Sequence, residues 1–166
     1  NLKGYFIRKA VFALISEVPY DYGFSGKLID IGGQNVMFTL LVGLAMMYLL
    51  ENPIRNLDLP DVIYMCIVCV VAASAAELLK MDYGFIGIAV ILIFFFARKY
   101  PGLPPELLLI PVFAGSGWLQ AFGILALIPI YLYNGERGYQ PLGFKIGIYA
   151  LYPAHILLLG LVHAML

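Results

Sequence analysis

Four polar strings interrupt an otherwise apolar sequence, and each carries side chains suited to chemistry. Ser16-Glu17-Val18-Pro19-Tyr20-Asp21 holds two carboxylates one helical turn apart. Pro19 disfavours helical geometry at Val18, so a helix break is expected between the two acids. On a bent chain near the interface, one of the two suits being held protonated or acting as a base. The same residues also suit a helix end with solvated acids. Gln34-Asn35 opens the run Val36-Met37-Phe38-Thr39-Leu40. Its amides offer donors and acceptors without charge and suit a carbonyl or amide ligand. Asn35 equally suits an N-cap.

Tyr133-Asn134-Gly135-Glu136-Arg137-Gly138 reads as a tight polar turn. Arg137 there suits pairing with Glu136, Glu17 or Asp21, or a bidentate grip on a phosphate or carboxylate. A plain surface turn has the same composition. His155 follows Pro153, whose missing N–H leaves a helix carbonyl free. A buried histidine at a proline kink suits a general base or proton carrier, or a packed ring bonded to that carbonyl.

Other signals weigh towards packing. Cys66 and Cys69 have C-x-x-C spacing, but no second pair or local histidine accompanies them. Ala72, Ala73, Ala75 and Ala76 offer a small-residue face for close helix contact. Gly115-x-Gly117 reads as a hinge. No nucleotide-binding or serine-nucleophile pattern is present.

The elements that must position these strings follow from composition. The 166 residues are 63% hydrophobic and 12% charged. Soluble domains carry about 25% charge and cannot hide so much apolar surface, so lipid is the expected solvent. A basic nucleic-acid binder and a disordered chain are excluded on the same figures. The 10 basic and 10 acidic residues cancel, so net charge names no partner.

Runs of membrane length predict an all-α polytopic transmembrane bundle, one domain over residues 1–166. About six spans are expected: Leu2–Glu17, Ile31–Leu50, Val62–Leu79, Tyr83–Ala97, Trp118–Tyr133 and Ile146–Leu166. Six passes put Lys3, Arg8, Lys9, Arg55, Arg98 and Lys99 on the N-terminal face, and Lys27, Lys80, Arg137 and Lys145 opposite. That bias makes the N-terminal face cytoplasmic. The polar strings then gather on the far face, with Glu77, Lys80, Asp82 and Tyr83.

The far-face strings resemble the TraX family. The likeness rests on Phe12-Ala13-Leu14-Ile15-Ser16-Glu17-Val18-Pro19-Tyr20-Asp21 and Gln34-Asn35-Val36-Met37-Phe38-Thr39-Leu40. It continues in Tyr83-Gly84-Phe85, in Tyr131-Leu132 with the polar turn after it, and in Tyr152-Pro153-Ala154-His155. It implies a polytopic bacterial inner-membrane protein related to membrane acyltransferases. It also implies acetylation of a pilin N-terminus with acetyl-CoA as donor. Members of the family begin with one or two more spans, the first bearing an Asp-His pair. This sequence opens at Asn1-Leu2-Lys3, inside the family pattern, so the resemblance implies that the principal base lies upstream.

Two functions are weighed on these residues. As a membrane acyltransferase acting on an amine or hydroxyl acceptor, the chain would use His155 with Glu17 or Asp21 on the acid–base side. Gln34, Asn35, Tyr83, Asn134, Glu136 and Arg137 would bind the substrates. The donor is cytoplasmic, so its thioester arm must reach through the bundle or the orientation must be reversed. As a non-enzymatic carrier or assembly partner, the chain would hold Glu17, Asp21 and Arg137 as a structural ion network, with Pro-broken helices around a passage.

Overall fold

The computed structural model describes residues 2–54, 59–100, 102, 104–117, 121–136 and 138–165. Among them are seven α-helices, a 3-10 segment and no strand. The helices are α1 (Leu2–Ser25), α2 (Val36–Glu51), α3 (Asp61–Leu78) and α4 (Gly84–Lys99). Then come α5 (Glu106–Gly115), the 3-10 segment (Phe122–Ala126), α6 (Leu127–Tyr131) and α7 (Leu142–Met165).

Helix α1 runs through Pro19. The expected break is absent because packing on a neighbouring helix compensates for one lost backbone bond. Glu17 and Asp21 therefore share one face of a continuous helix, a turn apart. The helix stops where Gly26 takes φ +70° and its N–H reaches the Tyr22 carbonyl at 3.1 Å. Asn35 caps α2, its side-chain oxygen accepting the Met37 N–H at 2.9 Å. Pro60 holds the cap position of α3. Asp61 lies in the first turn, where the helix dipole favours a carboxylate.

The α3–α4 turn is tight, with both Lys80 and Tyr83 in left-handed conformation. Glu77 holds it by accepting the Phe85 N–H at 3.0 Å. Tyr64, Val68, Ala72 and Ala76 recur every fourth residue on α3 and pack with Met46 and Ile88 in the main core. The alanines act as the expected small-residue face. Cys69 flanks this core and Cys66 is exposed; both are free thiols.

Helix α7 packs along α1. The Phe12 and Tyr149 rings meet edge to face with centroids 5.4 Å apart. Eleven residues further along both helices, Gly23 meets Gly160. Contacts at one constant offset mean the two helices run parallel. The six-pass division requires them antiparallel, so it does not describe this arrangement. We call the end where α1 starts the near end. Helix α4 returns there, α7 starts there, and the chain between them makes no net crossing.

Among the described residues, that stretch holds three short elements, α5, the 3-10 segment and α6. Helix α5 packs back on α4, and the Phe113 ring lies against Gly123 where the 3-10 segment begins to fold over it. The 3-10 segment and α6 stand where the Trp118–Tyr133 span is expected, and Trp118 lies outside the described residues. Near-end basic positions are Lys3, Arg8, Lys9, Arg98, Lys99 and Lys145, against Lys27 and Lys80 at the far end. Arg55 lies outside the described residues.

Among the described residues, two helices are long and apolar enough to cross a membrane, α3 and the Ile146–Met165 part of α7. Only 22% and 11% of those windows are buried, so most of their apolar side chains face outward rather than into a core.

Candidate functional site

The site grows from Asn35. Its side chain is fully buried where α2 begins against α1. The Asn35 amide nitrogen donates to the Ala13 carbonyl at 2.9 Å and also to Glu17 Oε2. The Asn35 backbone N–H reaches that same oxygen at 3.2 Å. One amide thus caps its own helix, crosses to α1 and holds a carboxylate. Both of its N–H bonds are used, leaving none for a substrate oxyanion.

The other carboxylate oxygen, Glu17 Oε1, is buried and has no hydrogen-bond partner. The Ser16 hydroxyl beside it is likewise buried and unpartnered. Buried polar atoms are rarely left so, and each needs a reason.

Asp21 is 4% exposed and accepts the Asp30 N–H at 2.8 Å through Oδ2. It pins the loop that carries the chain from α1 to Gln34, a positioning role. Gln34 joins the α3–α4 turn through its backbone. Its N–H donates to the Lys80 carbonyl at 2.9 Å, and its carbonyl accepts the Asp82 N–H at 2.7 Å. Thr39, also buried, donates its hydroxyl to the Asp82 carbonyl. Burial holds the Asp82 carboxyl above the usual carboxylate range, and the Tyr83 backbone N–H bonded to it offsets part of that rise.

Tyr20 and Tyr152 complete the cluster. Each lies within electrostatic reach of Glu17 and Asp82, and the Tyr152 hydroxyl meets the Val36 backbone N–H. Beside the cluster a cleft of about 570 Å³ opens between α2 and α4. Val36, Thr39 and Tyr83 form its polar end, and Ile91, Phe113 and Gly123 line its apolar part. Gly87 lets the helices close below it, since a Cβ there would stand 2.7 Å from Thr39 Cγ2.

The structure therefore brings together Glu17, Asp21, Gln34, Asn35 and Tyr83. It does not bring His155 into the cluster. His155 is exposed on α7, its Nδ1 is 2.9 Å from the Leu151 carbonyl, and its ring stands edge-on to Tyr152. Asn134 and Glu136 sit in an exposed turn after α6, where Asn134 Oδ1 accepts the Glu136 N–H at 3.0 Å. That turn precedes the near-end start of α7, away from the cluster. Arg137 lies outside the described residues.

Sequence reasoning passed over Tyr152 and Asp82 as site residues. Tyr152 precedes Pro153 by one position and His155 by three, a signal that went to the histidine instead.

The model of the TraX family, described as TraX protein, matches residues 1–163. No curated protein and no solved structure matches the chain.

Proposed function

The chain belongs to the TraX family, and from that premise we propose that it is an integral membrane acetyltransferase moving an acetyl group from acetyl-CoA to an amine or hydroxyl. A pilin-like N-terminus is the acceptor class this reading favours. The observation that carries it is the Glu17 carboxylate, fixed through Oε2 by Asn35 while Oε1 stays buried and unpartnered. A carboxylate held through one oxygen and unpartnered at the other has a site left to take a proton.

In this reading the acceptor nitrogen or oxygen attacks the thioester carbon and its proton passes to Glu17 Oε1. The new C–N or C–O bond forms, the C–S bond breaks, and the proton returns to the leaving sulfur. Tyr83, at the polar end of the cleft, is the hydroxyl donor assigned to the thioester oxygen. His155 has no place in this transfer. Substrate binding by Asn134 and Glu136 would have to come from the near end.

The same reading makes the protein polytopic in a bacterial inner membrane. Helices α1, α2, α3, α4 and α7 cross it, and α5 with α6 dips in and returns. Among the described residues, six basic positions at the near end against two at the far end support a cytoplasmic near end and N-terminus.

Reconstitution of the full-length protein with radiolabelled acetyl-CoA and a pilin N-terminal peptide tests the reading. Label should reach the peptide with wild type and not with Glu17→Gln. Equal transfer by both would overturn it.

A further inference from the structure

A second cavity, about 350 Å³, lies between α2 and α4 at the near end. Tyr48, Glu51, Phe95, Arg98 and Lys99 line it. Its residues continue the face that forms the first cleft. On α2 the lining positions run Val36, Leu40, Leu44, Met47 and Glu51, each three or four residues after the last. On α4 the same face runs Tyr83, Gly87, Ile91, Phe95 and Arg98. The α2–α4 seam thus carries a cationic mouth at the near end and, further along, the polar end formed by Val36, Thr39 and Tyr83. The Ile91 side chain lies on Gly43 and forms part of its floor. About 22 Å of helix separate Tyr83 from Arg98, at about 1.5 Å per residue.

We propose that this seam is the donor site: Arg98 and Lys99 bind the phosphates of an anionic, chain-bearing ligand, and its chain lies along the apolar groove towards Tyr83. The proposal rests on the acetyltransferase reading and identifies the donor's phosphate end with the near-end mouth. The charge pattern carries it. Two adjacent cations face one carboxylate, Glu51, so the mouth is net positive, while the rest of the seam is apolar. A guanidinium and an ammonium suit phosphate oxygens, and the apolar stripe suits a flexible arm. The arrangement also relieves the problem of a cytoplasmic donor and a far-end base. A ligand entering at the near end extends its reactive end along this face to Tyr83 and Val36, and Val36 follows the Asn35 that holds Glu17.

Phosphate on an amphiphile has two sources here, a soluble coenzyme A and an anionic lipid headgroup, and the test separates them. Full-length protein in phosphatidylcholine nanodiscs is titrated with coenzyme A and with pantetheine, which lacks the phosphates. Coenzyme A should bind at least tenfold tighter than pantetheine. Arg98→Ala with Lys99→Ala should remove that difference, and the charge-keeping Arg98→Lys with Lys99→Arg should retain most of it. The thermal midpoint of each variant reports its folding. Unchanged coenzyme A affinity in a folded alanine double variant overturns the proposal and leaves the acetyltransferase reading standing. Binding that appears only for phosphatidylglycerol in mixed nanodiscs overturns it in favour of a lipid headgroup. Normal coenzyme A binding with no transfer by wild type sinks the acetyltransferase reading and leaves this site intact.

Discussion

Asn35 delivers its backbone N–H and its side-chain amide to a single oxygen of Glu17. The pairing ties the cap of α2 to the middle of α1 across an apolar interface. It also divides the carboxylate into a held oxygen and a free one. Fold and chemistry meet in this contact: the bonds that set the position of α2 also orient the proposed base.

Removing the clamp should cost both. Asn35→Ala deletes the cap of α2 and the bonds to Ala13 and Glu17, leaving a buried carboxylate oxygen and carbonyl short of a donor. A loss of about 2–4 kcal/mol is expected, from the cap and the unsatisfied groups together. Asn35→Ser keeps a cap but cannot span to Ala13, so it should fall between. Denaturant unfolding in detergent, followed by circular dichroism, measures the order.

Glu17→Gln should separate chemistry from stability. The glutamine carbonyl can accept what Oε2 accepts, so unfolding should change little. The proton acceptor is gone, and transfer should fall by about 10²–10⁴-fold in kcat, the usual contribution of a positioned base. Single-turnover acetyl transfer in proteoliposomes reads the loss.

The polar strings were legible in the sequence because charge is scarce in this chain, and a cluster of Glu17, Asn35 and the Asp82–Tyr83 turn follows from their shared end. The direction of α7 was not legible. Counting apolar runs gives Trp118–Tyr133 the weight of a full pass, whereas the described part of it is a 3-10 segment and one turn and a half of helix. That single miscount reverses α7 and moves the Asn134–Glu136 turn to the other end. Pro19 misled for a related reason: local geometry argues for a break, and packing against α7 overrides it. His155 drew attention by residue type, while Tyr152, on the inner face of the same turn, is the one that reaches Val36.

The corrected topology has a direct readout. Gly102 and Tyr139 flank the α5–α6 stretch, and both are exposed. In a background lacking Cys66 and Cys69, single cysteines at these positions should react with a membrane-impermeant maleimide from the same side. Labelling from opposite sides would restore a full pass between them.

Asp82 gives a pH signature. Burial raises its folded-state value above the ordinary 3.8, so the folded protein holds a proton that the unfolded chain releases. Stability from this group is complete below 3.8 and declines as pH rises through the raised value. Asp82→Asn keeps an acceptor for the Tyr83 N–H and cannot ionise. The wild-type thermal midpoint should fall across that window relative to the variant, and the two curves should run parallel above it.

The glycines of α7 offer an internal control for the parallel contact with α1. A Cβ on Gly160 would stand 2.7 Å from the Gly23 Cα, a backbone atom that cannot swing aside. Gly160→Ala must therefore push the two helices apart, and overpacking of this kind costs about 1–3 kcal/mol. Gly143 and Gly147 lie on the same helix, and a Cβ at either would have no neighbour within 4 Å. Alanine there meets open space and gains about 1 kcal/mol of helix propensity. Thermal unfolding of the three single variants should rank Gly160→Ala below wild type and the other two at or above it. Equal destabilisation by all three would mean that α7 does not lie on α1 in this register.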